Sequence, residues 1–371
     1  MQQNKKIEFI DLRMRFKEER NEIMHCIENV LNKGSLILGE EALEFESDIK
    51  SFTKAKYCIG LNSGTDALML SLWASGIKKG DEVITSPVSF FATVGAIKHV
   101  GATPIFADVG DDGLLDPNKI EDKITSKTKA IMPVHWGGKM CDVLSIKKIC
   151  DDNNITLIED SAQSMGAYFN DIHGGRFGIT GSFSCHPLKN LNALGDAGFL
   201  ITDDPEIDRK VRLYRNHGME SRDKVVMYGV NSRLDVLHSE VLRFRLTKLF
   251  SQIEKRRKNA NIYRSIIDNN FVHIPKEKYG YKDSYVMFLV YAEKRDELKS
   301  YLDKKNIESL VYYGTPLHLH EATKDLGYCL GDFPIAEYQC NKVLALPVHQ
   351  HLNESQIKYV AHEINNFYKN Y

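Results

Sequence analysis

The chain has none of the features that would carry it into a membrane, along a secretory route or onto nucleic acid. Its amino terminus, Met1-Gln2-Gln3-Asn4-Lys5-Lys6-Ile7-Glu8, lacks the long apolar stretch that a secretion signal or membrane span requires. Seven cysteines, at 26, 58, 141, 150, 185, 329 and 340, form neither a paired framework nor a metal-ligand spacing, and their odd number points to free thiols in a reducing compartment. Charge of one sign is missing too: the formal net charge is -1, there is no separate basic or helix-turn-helix module, and nothing favours nucleic acid. Repeats, low-complexity linkers and breaks in composition are absent, so any domain boundary rests on hydrophobic pattern alone. What remains, 371 residues at 43% hydrophobic and 27% charged, is the composition of a soluble cytoplasmic enzyme with no bound metal.

From about residue 55 to residue 205 short apolar runs alternate with helical patterns, the rhythm of an α/β sheet. Strands are predicted at Glu82 to Thr85, Pro104 to Ala107, Ala130 to His135, Ile155 to Glu159, Ser182 to Cys185 and Gly198 to Thr202. The stretches between them are long enough for crossover helices, which implies a three-layer sandwich with a mostly parallel central sheet. A long amphipathic pattern, roughly Leu237 to Ile267, bridges to a smaller C-terminal α+β domain that includes helices over Lys294 to Lys304 and Ser355 to Asn370. The expected division is 1–245 for the large domain and 246–371 for the small one.

The chemistry centres on Lys189. It follows the strand-like Ile155-Thr156-Leu157-Ile158-Glu159-Asp160, which ends in an acid 29 residues earlier. A lysine and a carboxylate so placed suggest pyridoxal phosphate, whose aldehyde needs an amine to hold it as a Schiff base and whose ring nitrogen needs an anion to stay protonated. In an open parallel sheet ligands gather beyond the carboxyl ends of the strands, where a buried acid needs a cationic partner. A third element, Lys56 to Leu68, reads as strand, small-residue turn and helix start. There Ser63-Gly64-Thr65 offers hydroxyls and free N–H groups to a phosphate, or simply caps the helix.

Taken in order, these segments resemble the DegT/StrS sugar-nucleotide aminotransferases, a branch of the fold-type I pyridoxal-phosphate enzymes, whose fold is aspartate aminotransferase-like. The similarity covers nearly the whole chain. It is carried by Ile10-Asp11-Leu12, Phe45-Glu46, Ser63 to Leu68, Ser89-Phe90-Phe91-Ala92-Thr93, Pro133-Val134-His135, Glu159 to Gln163 and Phe183-Ser184. It continues through Lys189-Asn190-Leu191, Gly195-Asp196, Arg215 to Gly218, Gly229 to Asp235, Tyr313, Pro316-Leu317-His318 and Leu346-Pro347. The resemblance implies that Lys189 is the Schiff-base lysine, that Asp160 partners the pyridine nitrogen, and that Gln163 lies near the phenolic oxygen. It further implies that Phe90 stacks on the ring, that Ser63, Gly64, Thr65 and Ser184 hold the phosphate, and that Asn231 reaches that phosphate from a second subunit of a homodimer. Phe90 and Phe91 are otherwise core residues of a buried turn, a role expected for one of them. Two positions depart from the family: Cys185 replaces an aromatic residue and is read as packing, and Ala197 replaces a glycine.

The segment His186 to Asn192 followed by Gly195-Asp196 resembles the branch that aminates C3 of dTDP-3-keto-6-deoxyhexoses, with L-glutamate as donor. Lys189 must be neutral to move a proton, which burial beside a cationic ring favours. His318, Tyr313 and Arg233 are candidates for sugar or diphosphate contacts. The alternatives are a satisfied histidine, a core tyrosine and an ion pair with Asp235. His186 adjoins the lysine and could orient it. The basic run Lys255-Arg256-Arg257-Lys258 reads as a solvated face, with a substrate diphosphate as the other option. Competing functions are amination at C4 of a UDP-, GDP- or dTDP-4-keto sugar, and a pyridoxal-phosphate-dependent sugar dehydratase. The dehydratase has histidine where Lys189 stands.

Overall fold

The computed structural model describes residues 6–369; the first five residues of the amino-terminal stretch, and Asn370 of the last expected helix, lie outside it. Helices α1 (Leu12–Lys33) and α2 (Glu40–Thr53) lead into β1 (Tyr57–Leu61), α3 (Gly64–Ala74), β2 (Glu82–Thr85), α4 (Ala92–His99), β3 (Thr103–Phe106), β4 (Thr128–Met132), α5 (Val143–Asn153) and β5 (Thr156–Asp160). A hairpin, β6 (Tyr168–Phe169) and β7 (Ile172–His173), precedes β8 (Thr180–Ser184), β9 (Gly198–Thr202) and α6 (Pro205–Tyr214). A two-stranded arm, β10 (Met219–Ser221) and β11 (Lys224–Val225), is followed by the long helix α7 (Val236–Ile266). Then come β12 (Val272–His273), β13 (Tyr281–Lys282), β14 (Phe288–Ala292), α8 (Arg295–Lys304), α9 (Pro334–Lys342), β15 (Val343–Leu346) and α10 (Glu354–Lys369).

The central sheet has seven strands in the order β1-β9-β8-β5-β4-β2-β3, and only β9 runs against the rest. Alternation along each strand shows why both faces are covered. Val83, Ala130, Met132 and Ile158 pack under α3 and α4, while their neighbours Ile84, Ile131 and Leu157 pack against α5 on the other side. Farther along, Ile59, Leu61 and Leu200 meet α3 and α6, whereas Cys58, Phe199 and Ile201 meet α2 and α7. This is the expected three-layer α/β arrangement. The predicted strand Ala130 to His135 stops its ladder at Met132 because Pro133 has no N–H to donate; pairing resumes as a single bridge between Val134 and Asp160. Pro104 is tolerated in β3 because that strand is the sheet edge.

Helix α7 runs uninterrupted through the expected 245/246 division. Its first half places Leu242, Leu249 and Ile253 against the large sheet, and its second half places Ala260 and Tyr263 in the core of the small antiparallel sheet β12-β14-β15. The small unit also takes in the amino-terminal segment, where Ile7 pairs with Ile307 and Phe9 N donates to Glu308. Asp108, after β3, accepts from the N–H groups of Ile335 and Ala336 and so caps α9 from across the junction.

The basic run is not simply a solvated face. Lys255 and Lys258 are exposed, but Arg256 is buried and donates to Gln350 and to the carbonyls of Tyr285 and Val286; Arg257 donates to Asp283 O. At 100° per residue Arg256 shares the inward face with Ala260 and Tyr263, where its planar fork serves carbonyls that no strand pairs. Burial pushes that guanidinium down to about 9.

Candidate active site

One edge of the large sheet gathers the functional groups. There β1 runs on to Ser63, β8 ends at Ser184, β5 ends at Asp160, β4 leads to Val134 and β2 to Ser89, and all five residues line a cavity of about 320 Å³. Ser63 caps α3, its Oγ accepting from Asp66 N at 3.1 Å, and the first-turn amides of Gly64 and Thr65 open the helix beside it. Glycine is needed here for closeness: a Cβ at Gly64 would fall 2.6 Å from Ser184 Cβ, and one at Gly198 would fall 2.4 Å from the Ser63 carbonyl carbon. The result is a small cradle of hydroxyls and helix-start N–H groups, suited to a dianion.

Lys189 sits half-buried in the loop after β8, and that loop is held from several sides. Its own N–H donates to His186 O, Asn190 Nδ2 to Ser284 O, and Arg245 Nη1 to Asn192 O. Burial pushes the Lys189 ammonium down to about 8, with the charge of Asp160 opposing. Asp160 is itself buried, which raises its carboxyl; the Thr93 hydroxyl at 2.8 Å, the Ala162 N–H at 3.2 Å and Lys189 pull the other way. A lysine that gives up its proton near neutrality and a carboxylate deprived of water thus face one cavity.

Gln163 is fixed by Gly137 N, which donates to its Oε1 at 2.9 Å; its Nε2 then donates to the Tyr313 hydroxyl at 3.3 Å. Tyr313 stacks on Trp136 and approaches Phe90 at 6.2 Å. His186 lines the cavity from the lysine loop, its Nδ1 accepting from Leu188 N. Phe90 is 59% exposed and Phe91 37%, so neither is the core residue expected of that turn. The turn turns both rings outward, and Phe90 keeps a free face towards the cavity. Cys185 packs as expected, fully buried with its thiol pushed up.

Three sequence candidates lie outside the cavity. His318, the candidate for a sugar contact, is buried against Phe106 and Phe333 and bonded to Glu337 at 3.0 Å, because the 3-10 turn Leu317–Leu319 points it inward. Arg233 bonds Asn216 rather than Asp235. Asn231 is exposed and bridges Asn216. Conversely, Thr93, Ser89, Phe9 and Tyr312 line the cavity although no separate role for them was read from the chain. For Thr93 the available signal was its i, i+4 spacing from Ser89 at a helix start.

A family model described as the DegT/DnrJ/EryC1/StrS aminotransferase family matches residues 17–365. The chain belongs to the DegT/DnrJ/EryC1/StrS aminotransferases. It is 37% identical to a dTDP-3-amino-3,6-dideoxy-alpha-D-galactopyranose transaminase of Aneurinibacillus thermoaerophilus, over 97% of this chain and 99% of the relative. It is likewise 37% identical to a UDP-N-acetyl-3-dehydro-alpha-D-glucosamine 3-aminotransferase of Acidithiobacillus ferrooxidans, over 97% and 98%. Among solved structures, S. venezuelae DesV in complex with a ketimine intermediate superposes with a TM-score of 0.95 at 34% identity, covering 98% of each chain. The protein is an aminotransferase, and pyridoxal phosphate is its cofactor. The residues present fit that group: an amine poised near neutrality, a buried carboxylate and a helix-start cradle share one cavity. Among the described residues no helix is long and apolar enough to cross a membrane, and no group of three or more His, Cys, Asp or Glu could hold a metal ion.

Proposed function

We propose that this aminotransferase moves an amino group from L-glutamate to C3 of a dTDP-linked 3-keto-6-deoxyhexose, in the making of a deoxyaminosugar. The observation that carries the reading is the meeting of Lys189 and Asp160 in one cavity beneath the start of α3. The cofactor supplies the carbonyl carbon that carries nitrogen between the two substrates and a ring that stabilises negative charge. Lys189 Nζ, neutral once free, would carry the proton from the donor's α-carbon to the cofactor's carbonyl carbon and, in the second half-reaction, from that carbon to the sugar carbon that gains the nitrogen. Asp160, as an anion, would hold the proton on the ring nitrogen, Gln163 would donate to the phenolic oxygen, and Phe90 would pack against the ring. Ser63, Gly64, Thr65 and Ser184 hold the phosphate. Phe9, Tyr312, Val286 and Met287 form an apolar wall that keeps water from the exchange. Tyr313 and His186 are the sugar-side contacts, since both line the cavity.

Support for C3 comes from the two relatives, whose names both place nitrogen at position 3 on different nucleotides. A homodimer is supported by the exposed Leu36, Ile37 and Leu38, which are tied to the segment four to five residues after Asn231: Ile37 pairs with Asp235 and Val236 N donates to Leu36 O. Asn231 and Arg233 then serve the partner's site. Free thiols at all seven cysteines agree with a cytoplasmic setting.

The test offers reconstituted protein and glutamate a panel of 3-keto and 4-keto sugars on dTDP, UDP and GDP, with products identified by mass and NMR. Amination at C3 of the dTDP sugar is expected. Exclusive amination at C4 overturns the regiochemistry, preference for UDP or GDP overturns the nucleotide, and a monomer by sedimentation overturns the shared site.

A further inference from the structure

Among the described residues the Asp160 carboxylate accepts from two donors, and one of them belongs to a small relay. Thr93, 1% exposed in the first turn of α4, places Oγ1 2.8 Å from Asp160 Oδ2; Ser89, 4% exposed, places Oγ 2.6 Å from that same Thr93 oxygen. A carboxylate only accepts, so the Thr93 hydrogen must point to it, and the Thr93 lone pair is left for the Ser89 hydrogen. The chain of donors is therefore one-way: Ser89 to Thr93 to Asp160. On the other oxygen, Oδ1 accepts from Ala162 N. Ser89, Thr93, Ala162 and Asp160 all border the cavity, so the two donors approach the carboxylate within the wall of the site itself.

We propose that Thr93, oriented by Ser89, is a positioning residue that keeps the Asp160 carboxylate anionic and fixed in direction towards the cofactor's ring nitrogen. The proposal rests on the placement of Asp160 given above. Burial is the largest influence on Asp160 and favours its protonated form; the Thr93 hydrogen bond is first among those opposing it, ahead of Ala162, Lys189 and His135. Tyr313 is the other titratable group facing the carboxylate, and burial keeps it a neutral phenol. Removing the hydroxyl thus tips the balance towards a neutral acid, which no longer holds a ring proton. The ring then withdraws fewer electrons, and the nitrogen at Lys189 becomes more basic. If Thr93 acted only by packing α4 against the sheet, valine of the same shape would replace it without changing either property.

The experiment compares the parent with Thr93→Val, Thr93→Ser and Ser89→Ala in the holoenzyme. It reads the dissociation constant for pyridoxal phosphate and the pH midpoint of the visible absorbance of the Lys189–cofactor linkage. A hydrogen bond to a charged group is worth about 10- to 100-fold in binding. Thr93→Val should therefore bind the cofactor about that much more weakly, with its midpoint moved upward. Thr93→Ser should restore both, and Ser89→Ala should fall between. Parent-like affinity and midpoint in Thr93→Val overturn the proposal; should that variant not fold, parent-like values in Ser89→Ala do so. Failure of the underlying placement looks different: the parent itself, reduced with borohydride, carries no adduct on Lys189, and both readings fall together.

Discussion

Glu159 and Asp160 are consecutive carboxyl residues on β5, both buried, and the sheet sends them to opposite faces. Glu159 is surrounded by donors. Its Oε1 accepts from the N–H groups of Phe177 and Gly178 at 2.7 Å, and its Oε2 accepts from Gly175 N and His135 Nε2 at 2.8 Å. Cys141 N donates to His135 Nδ1, which sets the tautomer that lets Nε2 donate. Asp160, one residue on, has Thr93 and Ala162 alone and otherwise faces a cavity. The difference teaches that a buried acid with every lone pair occupied ties loops together, whereas one left partly unbonded is available to a ligand.

The comparison breaks first at Glu159. Glu159→Ala strands four donors, two of them on the buried His135 and Gly175, and should cost on the order of 3–5 kcal/mol, read as a large fall in the thermal midpoint of the cofactor-free protein. A midpoint within a degree or two of the parent would sink the view that Glu159 fastens the 135–141 and 173–178 loops.

Lys189 tests the opposite face. Its ammonium, ordinarily near 10.5, is held at about 8 in the folded chain. Between those pH values the unfolded chain binds the extra proton, so parent stability rises with pH across the window, and the burial cost is fully present below pH 8. Lys189→Met should remove that cost. Its cofactor-free form should be more stable than the parent at pH 7 by on the order of 2 kcal/mol in urea unfolding, with the gap closing towards pH 10.5 and turnover abolished. A gap that does not vary with pH contradicts the assignment.

The smallest effect on stability is expected at Asp160. Its carboxyl is raised in the folded chain, so the penalty for ionising it is present above that raised value and disappears as pH falls below the ordinary carboxylate range. Asp160→Asn should therefore shift stability at pH 7 by no more than about 1 kcal/mol, and upward, while turnover falls by about 100-fold or more. Loss of stability rivalling Glu159→Ala would erase the distinction between the two acids.

Much of this was legible in the chain. Val83-Ile84 and Gly198 to Thr202 read as strands because both faces of the central sheet are covered, and Ser63-Gly64-Thr65 read as the turn into a helix start because small residues follow an apolar run. Arg256 did not, because four consecutive cations look solvated until a helix face turns one of them inward. The reading of Phe90 or Phe91 as a core residue failed, and His318 turned inward, for a related cause: the conformation of a tight turn decides which way each side chain points. Thr93 stood in a quoted segment, yet its role needs β5 and α4 in register.

Local sequence was sufficient for the main elements, since period-two and helical hydrophobicity are properties of neighbours along the chain; Lys189 and Asp160, 29 residues apart, were singled out by the ordered motifs around them. Only the tertiary structure decided how differently the two adjacent carboxyls are bonded, which arginine is buried and which hydroxyl supports Asp160. Those outcomes depend on how residues 93, 135, 160 and 175 pack across strands, where hydrogen-bond donors are supplied by backbone far away in sequence.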